Sequence, residues 1–162
     1  MLRFARRRWR SHLHQRARPD RGDATVAAIR QASGTADFVS AELSDASSVR
    51  SLANQGIELG NGQIDTLVNN AATFPFEPTT DVSDEELDAT AAVNVKAPFL
   101  LVAALALGMV TRGSGAIVNI STMVANFEMP AMALEGSSKA ALRLLTSHGR
   151  QSSAPSEFAS TP

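Results

Sequence analysis

The sequence predicts an α/β fold built on a parallel sheet. Three observations carry that expectation. Helix-period and strand-like segments alternate from residue 22 to residue 146, a pattern that favours parallel strands joined by right-handed crossovers. Two short apolar runs, around Ile64 to Val68 and Gly115 to Ile120, suit strands buried on both faces. A long apolar helical stretch lies between them, as a crossover requires.

Taken in order, residues 1–21 form an Arg-rich arm. Arg3, Arg6, Arg7, Arg8, Arg10, Arg16, Arg18 and Arg21 all precede Gly22, and the remainder of the chain is acidic. Such an arm is compatible with nucleic-acid binding or targeting. It has little apolar periodicity and no aromatic interleaving beyond Phe4 and Trp9, so the reading is a disordered arm without a nucleic-acid partner. Asp23 to Ala32 reads as a short helix closed by Gly34. Ala36 to Leu43 alternates enough to be a strand. Ser44 or Asp45 is the expected N-cap of a helix striped by Val49, Leu52 and Ala53, and Gly60 and Gly62 end it. After the Ile64 strand, Ser83 and Glu86 form a capping box that opens a helix from about Asp84 to Val110, which Pro98 should bend or divide. The Gly115 to Ile120 strand follows, and then an apolar-striped helix from Leu134 to Leu145. Residues 147–162 read as a Ser/Pro-rich tail.

Composition narrows the chemistry. At 162 residues the chain has room for one domain, residues 22–146 being its core. The absence of cysteine excludes disulfides and thiolate metal sites. His12, His14 and His148 show no metal-ligand spacing, so no metal is expected. No apolar stretch reaches the ~18 residues of a membrane span, and no secretory core is present, so the expected location is cytoplasmic.

Four stretches, in order, resemble the short-chain dehydrogenase/reductase family. Ile64-Asp65-Thr66-Leu67-Val68-Asn69-Asn70-Ala71-Ala72 resembles the strand that ends in an Asn-Asn-Ala-Gly turn. Val93-Asn94-Val95-Lys96-Ala97-Pro98-Phe99 resembles the helix segment carrying the family's asparagine. Gly115-Ala116-Ile117-Val118-Asn119-Ile120-Ser121-Thr122 resembles the strand that delivers the catalytic serine. Gly136-Ser137-Ser138-Lys139-Ala140-Ala141-Leu142 resembles the helix of the Tyr-x-x-x-Lys pair. Glu42-Leu43-Ser44-Asp45 is a fainter match, near the adenine in the family.

The resemblance implies a partial Rossmann-type, doubly wound parallel sheet of which this chain supplies the central portion, NAD or NADP as cofactor, and hydride transfer on a small-molecule alcohol or ketone. It implies catalytic roles at Asn94, Thr122, Glu135 and Lys139, and cofactor contacts from Leu43, Asn69, Ala71 and Lys139. It also implies pairing of copies through helices 84–110 and 134–145. The choice between NAD and NADP and the identity of the substrate stay open.

The chain departs from the family pattern in three ways, which mark it as a truncated, degenerate member. Thr122 stands for the serine, a mild change that keeps a hydroxyl. Glu135 stands for the tyrosine, and the chain contains no tyrosine at all. A free Glu titrates at about 4.3 against about 10 for Tyr. With a cation one turn away, Glu135 is expected to be ionised and unable to donate a proton, in the manner of a surface i, i+4 ion pair. No Gly-x-x-x-Gly-x-Gly turn exists anywhere, so the pyrophosphate cradle of the family is absent. Without the first strands and the later ones, the Ala36 strand would lack a partner and the Ile64 strand would expose an apolar edge, which predicts marginal stability or aggregation. The expected activity is impaired or absent; the alternative is a non-catalytic remnant or interaction module.

Overall fold

Buried strand edges and helix stripes organise the chain around a parallel pair. The computed structural model describes residues 3–5, 9–11 and 19–153. β3 (Thr66–Asn69) pairs parallel with β4 (Ala116–Asn119), with Thr66 opposite Ala116 and Asn69 opposite Asn119. Helices α1 (Pro19–Gln31) and α2 (Ala46–Leu59) precede this pair. α3 (Asp84–Ala91), a π-helical turn (Ala92–Lys96) and α4 (Ala97–Thr111) form the crossover between the strands, and α5 (Ala133–Ser153) follows β4. This is the α/β arrangement that the alternating pattern predicts.

The local signals act where expected. Asp45 caps α2 by accepting from Ser48 N at 2.7 Å, and Val49, Leu52 and Ala53 bury the helix stripe against α4. Asn61 and Gly62, both at positive φ, turn the chain out of α2 towards β3. At α3, Ser83 Oγ accepts from Glu86 N, and Ser83 N donates to the Glu86 carboxylate, so the capping box is complete. The long helix is divided just before Pro98. A proline nitrogen cannot donate to the carbonyl four residues back, and the preceding turn widens so that Ala97 N–H reaches Ala92 O. From Asp84 to Thr111 the joined run is 28 residues, ending next to the expected Val110, and it is long and apolar enough by composition to cross a membrane. It serves here as a core helix: Val93, Ala97, Leu101, Leu105 and Met109 pack with Leu43, Val49, Leu52, Ile64 and Leu67 in one apolar cluster.

Several expectations are corrected. The segment 36–43 is not a strand, because no neighbouring strand supplies a ladder. Ala36, Ala41 and Leu43 are nonetheless buried, so apolar burial places the segment without hydrogen-bonded pairing. The β4 run is not buried on both faces. Among the described residues it has a ladder on one side only, and Val118 and Ile120 stay exposed. α1 starts at Pro19, and α5 continues through 147–153, where a tail was expected; residues 154–162 lie outside the described residues. Within the arm, β1 (Arg3–Ala5) and β2 (Trp9–Ser11) pair antiparallel, which differs from the expected disorder, and β1 approaches β3 without adding a ladder to it. Residues 1–2, 6–8 and 12–18 lie outside the described residues.

Candidate active site

The π-helical turn, the end of β4 and the first turns of α5 converge on one buried polar cluster. Asn94 is fully buried, and every hydrogen-bonding atom of its amide is used. Its Oδ1 accepts from Thr73 N at 2.8 Å. Its Nδ2 donates to Thr73 O at 3.1 Å and to Ser138 Oγ at 2.9 Å. Ser138 in turn donates to Glu135 O at 2.8 Å. A poor helix former is tolerated here because the widened turn aims its side chain at the backbone of the loop after β3. Asn94 thus ties that loop to α5 one residue before Lys139.

Lys139 is 4% exposed and its Nζ donates to Ile120 O at 2.9 Å, at the carboxyl end of β4. Burial pushes its ammonium below the usual lysine range, with the Glu135 carboxyl opposing. Glu135 is also 4% exposed, and its Oε2 is buried with no hydrogen-bond partner among the described residues. Burial raises its carboxyl above the ordinary Glu value, and the nearby Lys139 charge only partly offsets this. The sequence expectation of an ionised surface pair is therefore overturned: the helix face holding both residues packs against the π-helical turn and β4, and desolvation outweighs the attraction of a cation engaged elsewhere.

Thr122 caps the 3₁₀ turn (Met123–Ala125) that leads out of β4, and this turn packs against α5. Lys139, bound two residues before Thr122 and one residue after the partner of Asn94, joins the three expected positions in one region. The expected cofactor residues are more dispersed. Leu43 lies in the apolar core. Asn69, 4% exposed, turns inward and donates to Asn119 Oδ1 at 2.7 Å, while Asn119 donates to Thr146 Oγ1 at 2.8 Å. Ala71 packs half-buried against the core, and Ala72 beside it is exposed.

Four residues of this cluster escaped the sequence reading: Thr73, Ser138, Asn119 and Thr146. Ser138 was legible in principle, since it lies beside Lys139 one turn after Glu135 on the apolar stripe. Thr73 and Thr146 bond across the sequence, and no local signal marks them. The residues at the Lys139 end suit the sugar end of a dinucleotide, which needs a donor near small side chains at a strand terminus. The phosphate end has no glycine-rich turn to receive it, so the group as a whole is not matched.

A family model described as short chain dehydrogenase matches residues 2–158. An uncharacterised oxidoreductase of Thermotoga maritima is 35% identical over 127 residues, which are 78% of this chain and 49% of that protein. A metagenomic short-chain oxidoreductase solved with NADP superposes with a TM-score of 0.76 at 31% identity, over 80% of this chain and 59% of the other. An NAD⁺-bound xylitol dehydrogenase gives 0.77 at 26% identity, over 85% and 53%. The chain spans about half the length of the curated relatives it matches. Sequence, fold and the order of the motifs agree: this chain belongs to the short-chain dehydrogenase/reductase family of oxidoreductases, with their Rossmann-type α/β fold.

Proposed function

We propose that the chain derives from an NAD- or NADP-dependent oxidoreductase acting on a small-molecule alcohol or ketone, and that its hydride-transfer activity is impaired. The observation that carries this reading is Glu135. It occupies the position one turn before Lys139 with its Oε2 enclosed and partnerless, so no phenol stands there to give a proton to a carbonyl oxygen. Asn94 and Lys139 retain the family's positions, and Thr122 keeps a hydroxyl at the end of β4. Leu43, Asn69 and Ala71 are the proposed cofactor side; the two that are fully buried, Leu43 and Asn69, would support the site from behind. The NADP and NAD⁺ found in the two solved relatives support either dinucleotide. Without a pyrophosphate cradle in this chain, its own affinity is expected to be low.

Titration with NADH and NADPH, followed by nicotinamide fluorescence, tests the reading. Weak or absent binding and no ketone turnover are expected for this chain. Turnover would overturn the impairment. A Glu135→Tyr variant that gains turnover would place the defect at the donor; one that stays inactive would place it at the missing cradle.

The second reading, a non-catalytic interaction module, is favoured by one further observation. Phe99, Leu107 and Val110 on α4 and Leu144 on α5 are exposed apolar side chains on the two helices proposed to pair copies of the chain. Light scattering of the purified chain should show a dimer component, and Leu107→Glu should remove that component. A wild-type monomer at all concentrations would exclude pairing through these helices.

A further inference from the structure

We propose that Glu135 is carried into the core as a neutral carboxylic acid, so that folding takes up a proton there and the junction of α5, β4 and the π-helical turn is a pH-sensitive switch. The inference stands apart from the proposed activity and holds whether or not a dinucleotide binds.

The geometry leaves one oxygen of the Glu135 carboxyl enclosed and without a partner. Glu135 is buried, and Oε2 has no donor within reach among the described residues. Lys139 lies one turn on and its Nζ donates to Ile120 O; the described residues show no hydrogen bond or ion pair between it and the Glu135 carboxyl. Ser138 does not serve either, because its hydroxyl donates to the Glu135 main-chain carbonyl. An enclosed carboxyl oxygen without a donor disfavours the ionised form, the Lys139 charge only partly offsets this, and protonation is the low-cost escape.

The elements packed against α5 are the π-helical turn, α3, α4, β4 and the 3₁₀ turn. Their charged residues are Lys96 on the π-helical turn and Asp84, Glu85, Glu86 and Asp88 on α3. α4, β4 and the 3₁₀ turn carry none. On the described part of α5 the others are Lys139 and Arg143. Of all these only Lys139 acts on the Glu135 carboxyl, and desolvation exceeds its effect.

The proton comes from solvent on folding and returns to it on unfolding. Because the folded state holds the proton more tightly than the unfolded chain, stability is highest below the ordinary Glu value of about 4.3 as far as this group is concerned. It declines as pH rises from there through the raised folded value. Above that, a buried charge forms against Ser138 and the end of β4, and the first turn of α5 loosens.

The test is ¹³C NMR of the whole chain labelled at the Glu side-chain carboxyl, titrated with acid and base and assigned through bonds. One carboxyl, Glu135, should keep the protonated shift after the other Glu residues have ionised. Ordinary titration of every Glu near 4.3 would overturn the proposal. Glu135→Gln gives the second readout: its unfolding midpoint should lose the decline with rising pH that the wild type shows. Parallel pH profiles for the two proteins would also overturn it. If Glu135→Gln does not fold, the wild-type titration alone decides. Dinucleotide binding enters neither measurement, so failure here and failure of the proposed activity are separately readable.

Discussion

Asn94 shows how a single residue can join three parts of the chain. Its amide holds both backbone atoms of the half-buried Thr73 and the hydroxyl of the buried Ser138. Asn94→Ala leaves these groups without their partner, and a buried group without its partner costs about 1–3 kcal/mol. Urea denaturation should show a loss of that size; a change below ~0.5 kcal/mol would mean that water replaces the amide. That Asn94, Thr122 and Lys139 meet in one region follows from the order of the stretches that resemble the family. The state of Glu135 does not follow from sequence. An i, i+4 Glu–Lys spacing looks the same on an exposed face as on a buried one, and only the packing of α5 against the π-helical turn reveals that Lys139 turns to Ile120 O. Asn69 illustrates the same limit: the turn was legible, but not its inward bond to Asn119.

Elements whose signals are local were read well, and those that depend on a distant partner were not. The capping box at Ser83 needs only residues three apart, and it forms as the sequence indicates. Ser83→Ala removes the acceptor for Glu86 N and should lower stability by about 1 kcal/mol. A thermal melt unchanged by this substitution would show that the end of α3 frays in the native state. By contrast, Ala36 to Leu43 has strand-like alternation but no ladder, since a strand is a property of two segments. Close approach is equally invisible locally. A Cβ at Gly136 would lie 2.7 Å from Val124 O, so the start of α5 sits tightly on the 3₁₀ turn. Gly136→Ala gains helix propensity of up to ~1 kcal/mol yet must push that backbone away, which costs about 1–3 kcal/mol. Net destabilisation is the expected outcome in a denaturant titration, and a stabilised variant would show that the turn yields freely.

For the molecule as a whole, the parallel pair is the weak point. Two-stranded sheets are marginal without further cover, and among the described residues β4 has a hydrogen-bonded neighbour on one side only. The residues that should be deep in a wider sheet are half open: Val118 is 43% exposed and Ile120 41%. Nothing on β4 blunts this edge, since Ala116 to Asn119 includes no lysine, proline or bulge. The chain should therefore self-associate through β4 in addition to any helix pairing, with scattering that rises with concentration and time. Val118→Lys places a charge on the open face of the strand and leaves the Asn69–Asn119 bond and the Lys139 anchor untouched. It should suppress that scattering while shifting the unfolding free energy by no more than ~0.5 kcal/mol, as an exposed substitution does. Leu107→Glu, which acts on α4, should leave the β4-driven aggregation in place. If Val118→Lys aggregates as fast as the wild type while Leu107→Glu stays clear, the helix face governs association and the strand edge does not.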